Sequence, residues 1–314
     1  MPHTPDTLSL VADVGGTNTR VALAEGATLL TETVRKFRNA DFPSLEEVLD
    51  DFLSREGVDC KGAAVAVAGP VRDGRGRLTN LDWSIDLDVL ARVSRAEHLA
   101  VVNDLQAQAH ALGHIAPDKL RTVIKAPAAP AGATQLVIGI GTGFNAAVAL
   151  ETDQGRVVPA SECGHMSMPV HSAQALELST FVRTKHGFSS VEDVLSGRGL
   201  EHIHDWIAGQ RRTAAEIMES CETDENSAQA VAWFVRLMGR VAGDLALVHL
   251  PFGGVYLIGG VTRAMTPYLD RFEFAENFRD KGRFSDFMTQ FPVSVVEDDF
   301  AALSGLAAHL NSRF

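Results

Sequence analysis

The sequence predicts an α/β protein built on a repeated unit, and three observations carry that prediction. Short apolar runs that read as strands alternate with helical patterns. A glycine turn between two apolar runs stands near the start of the chain. The same arrangement returns about 125 residues later, which suggests a duplicated unit.

Taken in order, Leu8 to Val14 is apolar, breaks at Gly15-Gly16-Thr17-Asn18 and resumes through Arg20 to Ala24, a hairpin pattern. Thr28 to Phe37, rich in Thr and Val, offers a third strand. Ser44-Leu45-Glu46-Glu47 reads as a capping box opening a helix whose Leu45, Val48, Leu49, Phe52 and Leu53 share one face, with Gly57 as its left-handed stop. Gly62 to Ala68 is a buried-looking strand ending at Gly69-Pro70. Leu99 to Val102 is another, running into Asn103-Asp104 and a helical pattern over Leu105 to Leu112. Gly113 to Ala133, with three prolines and many alanines, reads as a linker or domain edge. Leu136 to Gly143 then mirrors Leu10 to Thr17, and Ala146 to Leu150 mirrors the return strand. Asn226 to Leu250, apolar on most faces, predicts a buried helix in which Gly239 and Gly243 admit another backbone. Val255 to Ile258 predicts a strand entering Gly259-Gly260, and Asp299 to Leu310 a final helix.

The 314 residues suggest two domains or one large one. A formal charge of −12 argues against nucleic acid as the main partner, because phosphate backbones need a cationic face. Cys60, Cys163 and Cys221 are odd in number and widely spaced; they suggest neither a disulfide framework nor a zinc site, and a reducing cytoplasm fits them. Met1 to Thr7 carries two prolines and an aspartate where an export signal needs a basic stretch and an apolar run. Ala126 to Leu150 is uncharged and long enough for a bilayer, but its prolines and four glycines oppose a continuous helix, so no membrane partner is expected.

Five constellations bear on chemistry. Asp13-Val14-Gly15-Gly16-Thr17-Asn18 is either a plain hairpin turn or an anion cradle, in which glycine N–H groups close on phosphate and the strand-end carboxylate holds a metal-bound water. Gly139-Ile140-Gly141-Thr142-Gly143 is a second such turn; it lacks the lysine of a Walker loop and the order of a dinucleotide site. Asn103-Asp104 stands at a strand-to-helix junction, where Asp104 either caps the helix or acts on a ligand. Glu162-Cys163-Gly164-His165 pairs a carboxylate with an imidazole, either structurally or on a polyol. Gly259-Gly260 is a tight turn or room for a flat ligand. A phosphoryl donor and a polyol would use four of them: the two turns, the carboxylate at the strand end and the acid–imidazole pair. A serine hydrolase would need a GxSxG elbow, and a protein kinase its HRD and DFG motifs; the sequence has neither set.

These blocks, with Gly69-Pro70 and Leu195-Ser196-Gly197, stand in the order of the bacterial glucokinase family, which the chain resembles from about residue 8 to its end. The resemblance implies two RNase H-like α/β domains of the actin-like ATPase class with the sugar in an interdomain cleft. A small domain is expected over residues 1–113 plus 300–314 and a large one over 114–299. It implies an ATP-dependent glucokinase that phosphorylates the 6-hydroxyl of D-glucose. Asp104 would be general base, and Asn103, Asp104, Glu162, His165 and Glu192 would bind the sugar. Asp13 would lie near Mg²⁺, through water; Gly15, Gly16, Thr17, Asn18, Gly141, Thr142 and Gly143 would hold the phosphates, with Gly259 and Gly260 against the adenosine. A homodimer is also implied.

Two positions depart from the family pattern. Asn145 follows the second turn where another glycine is common, and Cys163 replaces the glycine between Glu162 and Gly164. ROK kinases share the opening motif and the ExGH element but continue into a cysteine-rich zinc segment, whereas His165 here is followed by Met166-Ser167-Met168-Pro169. Two other readings stay open: a kinase for another hexose or an N-acetylated amino sugar, and a sugar-binding regulator without catalysis.

Overall fold

The computed structural model describes residues 8–78 and 82–313; Met1 to Thr7, read above against an export signal, lies outside them. The chain divides into two units. One takes the residues up to Ala116 with Asp153–Ala160 and the chain from Asp298 onward; the other takes Pro117–Thr152 and Ser161–Glu297.

In the first unit β1 (Leu8–Val14) and β2 (Asn18–Glu25) form the predicted antiparallel hairpin, in register from Leu8 opposite Glu25 to Val14 opposite Thr19. The strand expected over Thr28 to Phe37 is two short strands, β3 (Thr28–Leu29) and β4 (Arg35–Arg38), with a 3₁₀ turn at Thr31–Thr33 between them. The cause is Thr33, whose hydroxyl accepts from Leu23 N–H at 2.9 Å and donates to Leu30 O, replacing ladder bonds. Helix α1 (Leu45–Glu56) starts at Ser44, whose hydroxyl accepts from Glu47 N–H, and stops at Gly57 with φ 64°. Of the expected capping box, this is the bond that forms.

β5 (Gly62–Val67) is buried at every position, as a strand covered on both faces must be, and pairs parallel to β1. A small sheet of β6 (Val71–Arg72), β7 (Arg75–Arg77) and β8 (Ser84–Asp86) leads to α2 (Leu87–Ser94), capped by Asp86. β9 (His98–Asn103) pairs parallel to β5 and runs directly into α3 (Asp104–Ala111). The sheet order is β3-β2-β1-β5-β9, with β4 also on β2. Leu10, Leu49, Phe52, Val65 and Leu90 fill one face; on the other, Val11, Ala64 and Ala107 meet Leu303 and Leu306 of α10 (Ala301–Asn311).

The second unit repeats the pattern. β11 (Gln135–Ile140) and β12 (Phe144–Thr152) are antiparallel, and β14 (Val255–Ile258) and β15 (Val293–Val296) continue the sheet in parallel from β11. Its edge is β10 (Leu120–Ile124), antiparallel to β15. Of the two readings of Gly113 to Ala133, that strand corrects the linker, since the alanines and prolines around it obscure a short β-rich run, while the boundary between the units at Ala116 agrees with the domain edge. The short β13 (Gly155–Val157) falls in the segment belonging to the first unit.

Helices α4 (Ala173–His186), α5 (Gly197–Ala208), α6 (Ala214–Ser220) and the long α7 (Glu225–His249) follow, then α8 (Gly260–Met265) and α9 (Phe274–Arg279). A Cβ on Gly239 would lie 2.5 Å from Phe274 O, and one on Gly243 2.3 Å from Phe278 O, so both glycines admit the α9 backbone. No helix among the described residues is long and apolar enough to cross a membrane.

Candidate functional site

In the first unit the turn after β1 is closed by Gly15 N–H donating to Asn18 O at 3.0 Å, with Gly16 and Thr17 exposed at its tip. Its hold comes from Asn39, a residue that carries no motif. The Asn39 amide donates to Gly15 O at 2.8 Å, its oxygen accepts from the Thr19 hydroxyl at 2.8 Å, and its N–H donates to Thr17 O. Asn39 is 2% exposed, so these bonds form where water does not compete. Asp13 stands opposite Arg20 in the hairpin, 3.5 Å from its guanidinium and 20% exposed. Burial pushes the Asp13 carboxyl above the usual range, and Arg20 opposes that shift.

At the end of β9 the helix cap is Asn103, not Asp104. The Asn103 side chain accepts from Leu105 N–H at 2.9 Å, and Gln106 returns a bond to Asn103 N–H at 3.1 Å, completing a capping box. The Asn103 amide also donates to Gly69 O at 3.0 Å, tying the junction to the Gly69-Pro70 bend. Asp104 is the first helical residue. One of its oxygens accepts from Leu105 N–H at 2.9 Å, at the end of the helix whose partial charge favours an anion. Two features fix α3 beneath it. Gly305 of α10 is so close that a Cβ there would lie 1.8 Å from Ala107 O. Arg156 donates to Ala109 O at 3.0 Å and also to Leu112 O at the helix end.

In the second unit Gly141 N–H donates to Gly143 O at 2.9 Å, and Gly141 O accepts from Gly197 N–H at 2.9 Å, joining this turn to the start of α5. Thr142 is exposed. Glu192 closes on the turn: one oxygen accepts from Phe144 N–H at 3.0 Å and the other lies 3.3 Å from the Arg198 guanidinium. A Cβ on Gly143 would meet the Glu192 carboxylate at 2.5 Å, so any side chain there would displace Glu192 from the turn. Cys163–His165 is a 3₁₀ turn that follows Glu162 and leaves the Glu162 and His165 side chains accessible to solvent. Gly164 O accepts from Glu192 N–H at 2.9 Å, so the segment that carries Glu162 and His165 is bonded to the residue that closes on the second turn. Gly259, at φ 109°, packs on β11, where a Cβ would lie 2.3 Å from Ile140 O. Gly260 opens α8, and a Cβ there would meet nothing within 4 Å.

The two positions that depart from the family pattern touch one another. The Asn145 amide donates to Ser161 O at 2.6 Å, and its oxygen, which accepts from Ala146 N–H at 2.8 Å, lies 3.5 Å from Cys163 Sγ. Burial pushes the Cys163 thiol up, keeping it a neutral donor to that oxygen. Together they brace the turn that carries Glu162 and His165.

Among the described residues no group of three or more His, Cys, Asp or Glu could hold a metal ion. A lone strand-end carboxylate such as Asp13 suits Mg²⁺, which retains water and takes its other ligands from substrate phosphates. Asn39, Arg156, Arg198 and Gly305 were not legible as site residues; each acts through contacts distant in sequence or across a helix turn.

The family model described as Glucokinase matches residues 10–313. A glucokinase of Caulobacter vibrioides (strain NA1000 / CB15N) is 36% identical over 318 residues, covering 96% of this chain and 95% of its own. The crystal structure of a glucokinase from an Antarctic psychrotroph aligns with TM-score 0.87 at 33% identity, covering 97% of this chain and 98% of the other. A glucokinase of Balamuthia mandrillaris, solved in complex with glucose, aligns with TM-score 0.80 at 20% identity over 98% and 94% of the two chains and shares the fold.

Proposed function

Because the chain belongs to the glucokinase family, we propose that it transfers the terminal phosphoryl group of ATP to the 6-hydroxyl of D-glucose, with Asp104 as general base. The observation that carries the proposal is the placement of Asp104. A carboxylate stands in the first turn of α3, directly after β9, on a helix locked by the Gly305 contact and the Asn103 capping box. A base must be held within hydrogen-bond reach of its proton, and rigid flanking structure is what holds it.

Asp104 would accept the 6-hydroxyl proton as that oxygen attacks the terminal phosphorus and the bond to the ADP oxygen breaks. Such a base contributes roughly 10²–10⁴-fold. Asn103, Glu162, His165 and Glu192 would orient the sugar, whose hydroxyls each donate and accept, matching amide, carboxylate and imidazole partners. The turns Gly15 to Asn18 and Gly141 to Gly143 would receive the phosphates on their backbone N–H groups, and Gly259 with Gly260 would leave room for the adenosine. Asp13 would hold Mg²⁺ through water, and the ion when bound supplies charge neutralisation on the phosphates.

The regulator reading loses to family membership and to an intact Asp104. A preference for another hexose is separated by comparing kcat/KM for glucose with that for mannose and N-acetylglucosamine in a coupled assay. Highest efficiency with glucose supports the proposal, and no turnover with any hexose refutes it. The same reading places the enzyme in the cytoplasm as a homodimer. Sedimentation equilibrium tests the dimer.

A further inference from the structure

Arg198 occupies an electrostatically awkward place. It lies in the first turn of α5, after the Ser196 cap, where the helix end favours anions and disfavours a guanidinium. The anion beside it is Glu192, 3.3 Å away; the Arg198 side chain is 50% exposed and that of Glu192 23%. Glu192 in turn reaches the second turn through Phe144 N–H at 3.0 Å, and α5 is bonded to the same turn by Gly197 N–H on Gly141 O at 2.9 Å. A guanidinium, a carboxylate and the turn therefore form one short chain of contacts. Beside it is open space: a Cβ on Gly141 would meet nothing within 4 Å.

We infer that Arg198 couples nucleotide binding to sugar binding, exchanging Glu192 for the terminal phosphate of a bound nucleoside triphosphate and releasing a Glu192 oxygen to accept from a sugar hydroxyl. The inference rests on the reading of Gly141 to Gly143 as a phosphate turn. Its physical basis is competition. Phosphate carries more charge than a carboxylate and matches the guanidinium fork equally well. The Arg198–Glu192 pair, with Arg198 half-exposed and its contact long at 3.3 Å, is weak enough to be given up. Once freed from the cation, Glu192 is the better acceptor. By linkage, nucleotide then tightens sugar binding and sugar tightens nucleotide binding by one common factor.

The test is glucose binding by titration calorimetry, with and without a saturating non-hydrolysable ATP analogue, in the wild type, Arg198→Gln and Arg198→Lys, with folding checked by circular dichroism. In the wild type the analogue should tighten glucose binding at least about fivefold. In Arg198→Gln the analogue should bind about tenfold more weakly, the coupling factor should fall to near one, and glucose alone should bind at least as tightly as in the wild type. Arg198→Lys, which keeps the charge, should retain part of the coupling. Weaker glucose binding by Arg198→Gln without nucleotide would assign Arg198 to propping Glu192 and overturn the inference, as would wild-type coupling in that variant. A wild type that binds neither ligand overturns the proposed function and this inference with it. A wild type that binds both with no coupling overturns this inference alone.

Discussion

Replacing Gly164 with alanine puts a methyl carbon 2.0 Å from the carbonyl oxygen of Phe144 and 3.1 Å from its carbon. A carbon approaches a carbonyl oxygen comfortably at about 3.3 Å or more, so the new group must move by more than about 1 Å or push the strand away. The obstacle is backbone, not a side chain that can rotate. The cost should therefore reach the upper end of the overpacking range, about 3 kcal/mol. For a unit of roughly 150–250 residues each kcal/mol lowers Tm by about 2–4 °C, giving a fall of about 6–12 °C. The displaced turn also carries Glu162 and His165, and its Gly164 O accepts from Glu192 N–H. A misplacement of about 1 Å at such groups costs about 10²-fold in kcat/KM. Differential scanning calorimetry with a coupled glucose assay reads both effects. Gly141→Ala is the control, because its methyl meets nothing within 4 Å. It should keep the wild-type Tm and raise the KM for ATP. If Gly164→Ala melts within about 2 °C of the wild type and keeps its kcat/KM for glucose, the close-approach argument is wrong.

Asn39→Ala removes the side-chain bonds to Gly15 O and from Thr19 in a buried setting. It should cost about 2–3 kcal/mol and raise the KM for ATP more than that for glucose, as urea melts and steady-state kinetics will show. The His110 and His309 rings lie 4.1 Å apart, tilted by 42°, between α3 and α10, and neither ring nitrogen of His309 has a partner among the described residues. Burial holds His110 down at about 3 and His309 at about 4, with Arg156 also facing His110 and Arg313 facing both. Both lie below the ordinary 6.5, so the unfolded chain takes up protons first as pH falls. The stability the pair contributes is therefore complete above about pH 6.5 and lost between there and the folded values, at up to about 1.4 kcal/mol per pH unit for each ring. The double variant His110→Phe, His309→Leu should lose stability less steeply than the wild type in melts from about pH 7 to about pH 4.5; parallel slopes contradict this.

The two hairpins were legible because strand alternation and glycine turns are local signals: Gly15-Gly16 and Gly141 to Gly143 each separate two apolar runs that pair in register. Helices α7 and α10 were legible for the same reason. What the sequence concealed depends on partners far along the chain. Asn39 reaches Gly15, 24 positions away, from a stretch with no motif. Gly305 lies in an alanine-rich helix, and nothing local marks the Ala107 carbonyl it must clear. The split of Thr28 to Phe37 turns on one threonine hydroxyl choosing Leu23 and Leu30 over the ladder. At the β9–α3 junction both Asn103 and Asp104 are good caps by type. Only coordinates assign the cap to Asn103, which leaves Asp104 one step further on. The contact between Asn145 and Cys163 joins two departures that read as unrelated in the sequence.

The most direct measurement is Asp104→Asn, which keeps the size of the side chain and an oxygen able to accept from Leu105 N–H. Loss of kcat by about 10²–10⁴-fold, with glucose affinity by calorimetry within about threefold of the wild type, is what a proton acceptor at that position produces. Retention of more than about a tenth of the activity would mean that another group takes the proton from the sugar.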